Sequence, residues 1–169
     1  MRVLTPALFS NNQMYLIQRE KDDSLFFGNA ADVASVSYYD NYDFITVTVP
    51  FAKRAMLAYQ TPAAGCGTQY TASSLGLQTD SAVKVFGKEG ESLYLYTARY
   101  YDAKGRVVQE RMTDHLGGGL FTQLGYAFTG EPLHKRIVHG FANGTSMTED
   151  YSYTYDGWGR LLFTGFLTK

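Results

Sequence analysis

Aromatic and polar residues alternate along much of the second half of the chain. Tyr151, Tyr153 and Tyr155 are separated by Ser152 and Thr154, and Tyr94, Tyr96, Ala98 and Tyr100 by Leu95, Thr97 and Arg99. A period of two places each set on one face of a strand. Gly-rich stretches such as "TDHLGGG" and "GFANGTS" break the alternation and read as turns. The pattern predicts strands near 82–87, 92–101, 106–112, 120–128, 133–139, 147–155 and 160–167. Short connections between them predict an all-β fold, an antiparallel meander of repeated hairpins. The first 80 residues are less regular. There "NQMYLIQRE" and "DFITVTV" read as strands, "FAKRAMLAY" as a short helix after Pro50, and "QTPAAGCGTQYTASSLG" as a loop. The organisation expected is an irregular β-rich part over 1–80 and a hairpin sheet over 81–169, which could form one continuous domain.

One phrase is written twice. "YYDAKGRVVQ" and "TYDGWGRLLF" share Tyr, Asp, two free positions, Gly and Arg. The shared residues are Tyr101, Asp102, Gly105 and Arg106 in one copy, and Tyr155, Asp156, Gly159 and Arg160 in the other. Every member suits a hairpin. The Asp carboxylate can accept the amides that follow it. The Gly supplies a positive φ that a side chain penalises by about 1 kcal/mol. The Arg can meet the Asp or lie over a neighbouring aromatic ring. Phe128 stands midway between Tyr101 and Tyr155 and reads as the aromatic of a degenerate middle unit, "YAFTGEPL". Pro132 cannot take a positive φ, so that turn is expected to differ in type. "SYYDNYDFITV" reads as another copy, out of register and without the Gly-Arg pair. The tyrosine of each unit is expected to pack against the tyrosine of the next.

On these residues the chain resembles the YD repeats of the rearrangement-hotspot (Rhs) family, related to teneurins and to the shell-forming subunits of insecticidal toxin complexes. "ARYYDAKGRVVQ" and "YSYTYDGWGRLLF" carry the resemblance, with "DHLGGGLFTQLGYAFTGEPL" between them. It is specific for Tyr94 to Gly165 and weaker for Ser35 to Gly90. It implies hairpins wound into a long sheet that curls into a shell, in large exported bacterial proteins. It also implies an extracellular or cell-envelope location, although "MRVLTPALFSNN" makes a poor signal peptide. Three units cannot close a shell. The resemblance therefore implies a structural, non-catalytic segment of such a shell or scaffold, with no cofactor.

Composition agrees with a β-protein. There are 14 Tyr, 11 Phe and 17 Gly, and aromatics favour strands as Gly favours turns. Fifteen basic against 16 acidic residues give no field that would draw nucleic acid, and no run reaches the length of a membrane helix. Cys66 is the only cysteine, so no internal disulfide forms. It sits in "AAGCGT", where no local base activates it, and reads as an incidental loop thiol. His134 and His139 are an odd number of residues apart and should face opposite sides of a strand, too far apart in direction to share a metal. His115 stands in a Gly-rich loop and reads as a surface histidine. Asp102 and Asp156 read as turn caps in separated units rather than as a glycosidase pair. Gly117 to Gly119 lack the Lys-Ser/Thr of a phosphate loop. Trp158, in a free position at a turn tip, could stack on a sugar ring, and this makes a carbohydrate-binding module the alternative reading. The partners expected are the rest of a larger YD-repeat chain, or self-association through open sheet edges.

Overall fold

A computed structural model of the chain describes residues 5–9, 13–19, 33–45, 54–85 and 94–169. The alternating segments become strands: β1 (Thr5–Phe9), β2 (Gln13–Arg19), β3 (Val33–Asp40), β4 (Ser74–Lys84), β5 (Tyr94–Tyr101), β6 (Val107–Thr113), β7 (Gly119–Tyr126), β8 (Pro132–Gly140), β9 (Ser146–Tyr155) and β10 (Leu161–Thr168). They form one ten-stranded sheet in chain order, each strand antiparallel to the next. The all-β meander expected from the alternation is what the chain forms.

Three local expectations are corrected. β4 begins at Ser74, not near 82, and so runs across the boundary placed at residue 80. Asp43–Ile45, expected to open a strand, is a 3-10 turn held by the Tyr42 carbonyl, and 46–50 lie outside the described residues. The helix expected over "FAKRAMLAY" is a single 3-10 turn, Arg54–Leu57, with 51–53 outside the described residues.

The hairpins are built on one turn used five times. In all five the first residue's amide donates to the carbonyl four residues on, and in four of them the fourth residue's amide donates back to the first carbonyl. The turns run 102–106, 127–131, 141–145 and 156–160, with 114–118 closed by the first of these bonds. Each has glycine at its fourth position with positive φ: Gly105, Gly117, Gly130, Gly144 and Gly159. The middle unit therefore has the same turn as its neighbours. Gly130 takes the positive φ, and Pro132 stands beyond the turn, at the start of β8.

This alignment also moves the unit tyrosine. Tyr126, four residues before Gly130 as Tyr101 is before Gly105, is the residue that Phe128 was expected to be. Phe128 sits at the tip of the turn and is 86% exposed. The copy in "SYYDNYDFITV", out of register along the sequence, falls into register in the sheet as well. Asp40 faces Ser74 across the β3–β4 pair, and Tyr39 faces Gln78. The chain leaves the sheet after Asp40 and re-enters it at Ser74. Gly76 keeps the positive φ of the repeat, and its amide donates to the Asp40 carboxylate at 2.6 Å. Tyr39-Asp40 and Ser74–Gln78 are thus two halves of one repeat unit, split by an insertion.

The inserted chain crosses one face of the sheet as a strap. Leu57 is fully buried in a cluster with Val36, Tyr38, Ala82, Tyr94, Tyr96, Ala98 and Tyr100. Burying one such leucine contributes about 1.5–3 kcal/mol. Tyr42 stacks on Tyr100 with ring centroids 4.7 Å apart, and Tyr59 meets it edge-on at 5.2 Å. The Tyr94–Tyr100 stripe thus lies beneath the strap. Successive strand registers place Tyr100, Gln109, Gln123, Arg136 and Asp150 in one row across the sheet. Tyr151 is next to Asp150, so the Tyr151–Tyr155 stripe lies on the opposite face.

Candidate functional site

The repeated phrase makes two kinds of contact. Within a unit, the Asp carboxylate closes the turn. Asp102 Oδ1 accepts the amides of Lys104 at 2.8 Å and Arg106 at 3.0 Å, and Oδ2 accepts Arg106 Nε at 2.7 Å. Asp156 accepts the Trp158 and Arg160 amides and Arg160 Nε in the same way. Partial burial pushes the Asp102 carboxyl up. The Arg106 and Lys104 donors outweigh that and hold it below the ordinary carboxylate range. At Asp156 the Arg160 amide, then its guanidinium, pull the carboxyl down.

Between units, the tyrosine makes the link through its hydroxyl. Tyr101 Oη donates to the Gln78 carbonyl at 2.5 Å, Tyr126 Oη to Val107 at 2.9 Å, and Tyr155 Oη to Pro132 at 2.8 Å. Each acceptor is the register partner of the preceding unit's tyrosine: Gln78 faces Tyr39, Val107 faces Tyr101, and Pro132 faces Tyr126. The sheet therefore carries a relay from Tyr155 back to the Tyr39 unit. The Arg completes it. Arg106 lies over the ring of the next unit's Tyr126 at 4.7 Å, and its Nη1 donates to the Ala127 carbonyl at 2.9 Å. The expected ring-to-ring packing between unit tyrosines is replaced by this hydroxyl-to-carbonyl and guanidinium-to-ring junction. The sequence signal for Tyr126 was present as its fixed distance to Gly130. The signal for Tyr39 was hidden by the insertion.

The strap is bound by side chains of the crossed strands. Tyr100 Oη donates to the Leu57 carbonyl at 2.6 Å, and Arg111 Nε to Met56 at 2.9 Å. Gln109, 1% exposed, holds both main-chain groups of Gln60, accepting its amide at 2.9 Å and donating to its carbonyl at 3.0 Å. Gln123 accepts the Ala63 amide at 2.9 Å, and the Gly67 amide donates to Leu124 at 2.8 Å. Main-chain groups that have left the sheet lack ladder partners, and here glutamines supply them in place of a strand.

At the strap's far edge lies an open cavity of about 290 Å³ that includes Cys66, His134, Arg136, Asp150 and Phe166 in its lining. The thiol and an imidazole that the sequence left apart thus share one cavity. Burial pushes the Cys66 thiol up, against a smaller pull from Arg136, so it stays protonated. Asp150 is occupied by Arg136, with bonds of 2.5 and 2.9 Å to its two oxygens. Neither feature prepares a nucleophile. His139 faces Met147 and His134 faces Ser152, which puts the two on opposite faces. His115 is exposed at the Asp114–Gly118 turn. Among the described residues no cluster of His, Cys, Asp or Glu is arranged to hold a metal, and no helix is long and apolar enough to cross a membrane.

The turn tips at one end of the sheet adjoin one another. Lys104 Nζ sits 3.7 Å from the centre of the Phe128 ring, and the Glu131 carboxylate lies close to Gly159. Trp158, 88% exposed, stands at the last of these tips. No known protein family, curated protein or solved structure matches this chain.

Proposed function

We propose that the chain is a non-catalytic structural segment of a YD-repeat shell or cell-surface scaffold. The observation that carries this reading is the junction between units. The phrase Tyr-Asp-x-x-Gly-Arg spends its whole chemistry on closing its own turn and gripping the next unit, so a sheet of any length can be built by repeating it. The Asp–Arg pair is consumed in the turn, the tyrosine hydroxyl in the relay. The protonated Cys66 thiol and the Asp150 carboxylate locked by Arg136 argue in the same direction. The test uses native cells and an antibody against the folded domain. The expected result is a species far larger than 18.9 kDa that is degraded when intact cells are treated with protease. A free, protease-protected species of the domain's own mass would overturn the proposal.

A carbohydrate-binding module is the second reading, favoured by the ridge of exposed aromatics at the tips. Phe128 and Trp158 offer flat apolar faces, with Lys104 and Glu131 beside them as polar groups for hydroxyls. A glycan array would show binding that Trp158→Ala and Phe128→Ala both abolish. Binding that survives both changes removes the ridge as the site.

A further inference from the structure

We propose that the outer edge of β10 docks the strand of a further hairpin of this repeat, one ending in a tyrosine whose hydroxyl donates to the Leu161 carbonyl and whose ring covers Arg160. The proposal rests on the scaffold reading and names the residue its neighbour must carry. The rule is read from the relay. Each unit presents to the next the carbonyl of the residue facing its own tyrosine. Gln78, Val107 and Pro132 do so in turn, and each receives a tyrosine hydroxyl. In the last unit that residue is Leu161, which faces Tyr155.

Arg160 supplies a second, independent sign. Arg106 and Arg160 make the same bonds to their own aspartates. The Arg106 side chain is 26% exposed because the Tyr126 ring lies against it, whereas Arg160 is 78% exposed. The difference is the following tyrosine. The strand itself is composed like an interior one. Leu161, Leu162, Phe163, Phe166 and Leu167 are all more than half exposed, and they lie on both faces of β10. A strand apolar on both faces is the kind that sheets bury, and an open apolar edge pairs readily. A second copy of this chain cannot meet the requirement. Its unit tyrosines Tyr39, Tyr101, Tyr126 and Tyr155 all lie in strands flanked on both sides, and its other edge strand, "TPALF", contains no tyrosine.

The probe is an acetylated peptide copying Ser146 to Gly157, which carries a unit tyrosine and the residue after it. It is titrated into the isotopically labelled full chain and followed by amide chemical shifts. Shifts confined to β10 and the 156–160 turn are expected. One hydrogen bond is worth roughly a 2- to 10-fold change in affinity, so the peptide with Tyr155→Phe should bind weaker by that factor. Arg160→Ala in the full chain should weaken binding of the tyrosine peptide while leaving the chain folded. Equal binding of the Tyr and Phe peptides overturns the proposal, as does an absence of shifts at β10. Concentration-dependent broadening of β10 without peptide, the sign of a second copy on the edge, overturns it too. None of these failures touches the cell-surface test of the scaffold reading, so the two are judged separately.

Discussion

Gly125 shows how one residue without a side chain can decide where a long loop lies. Its backbone passes beneath the strap at Gly65 and Cys66, and a Cβ placed there would run into the Gly65 carbonyl. Gly65 in turn lies on the His134 ring and has a positive φ of 82°. The two glycines let two backbones approach closely, which is the use of glycine that no other residue can replace. Gly125→Ala must lift the strap or push β7 away, and overpacking of that kind destabilises by roughly 1–3 kcal/mol. Gly144→Ala is the control. It adds a Cβ into open space at a φ of 84°, so it bears only the backbone strain of about 1 kcal/mol. Denaturant melts should rank the two in that order. Hydrogen exchange separates the mechanisms, because the Gln60 and Ala63 amides, held by Gln109 and Gln123, should speed up in Gly125→Ala alone. Unchanged exchange at both amides would show that the strap does not depend on this approach.

At the scale of elements, the turns and the strand pair β8–β9 share a dependence on ionised aspartates. Asp102, Asp150 and Asp156 all have carboxyls held below the ordinary range. Asp102 is lowered by its Arg106 and Lys104 donors despite burial, Asp150 by Arg136, and Asp156 by the Arg160 amide and guanidinium. A carboxyl with a lowered folded value binds its proton more weakly than the unfolded chain does. Its contribution is therefore present above the unfolded value of about 4 and is lost as pH falls through the folded value. The melting temperature should be flat near neutrality and drop below about pH 4. The triple variant Asp102→Asn, Asp150→Asn, Asp156→Asn should start lower and drop less over the same range. Parallel curves for the two proteins would remove these carboxylates as the source of acid sensitivity.

The same elements show what the sequence could and could not reveal. β5 and β9 were legible because an aromatic on every second residue has no other regular explanation. The turns at 102–106 and 156–160 were legible because Asp and Gly each have a fixed backbone task there. In the middle unit two spacings compete: Phe128 lies midway between Tyr101 and Tyr155, whereas Tyr126 stands four residues before Gly130 as Tyr101 does before Gly105, and the hydroxyl bond to Val107 decides for Tyr126. The split unit was not legible at all. Its halves, Asp40 and Ser74, come together only through the β3–β4 register, and the Ser-Leu-Gly that starts β4 has loop composition. The cavity shared by Cys66 and His134 was hidden for the same reason, since it forms where the strap meets β8.

On the scale of the whole molecule, the sheet is stiff at its middle and bare at one end. Tyr100, Val108 and Gln109 are almost fully buried on β5 and β6, beneath the strap and between neighbouring strands. β10 has a single neighbour, and its large side chains are more than half exposed. Local openings that release amides need little free energy where few contacts are broken, and they approach global unfolding where many are. Amide exchange in the full chain should therefore be slowest in β5 and β6, and should quicken stepwise through β8 and β9 to β10. Gly125→Ala, which disturbs the strap and its seat on β7, should lower protection in β5 to β7 and leave β10 unchanged. This pattern distinguishes a strap that clamps the centre from a sheet that stands on its hairpins alone, where the variant would alter no strand beyond β7 and β8. If β10 exchanges as slowly as β5, its edge is paired in solution. Dilution then decides the matter, because protection supplied by another copy falls as the concentration is lowered.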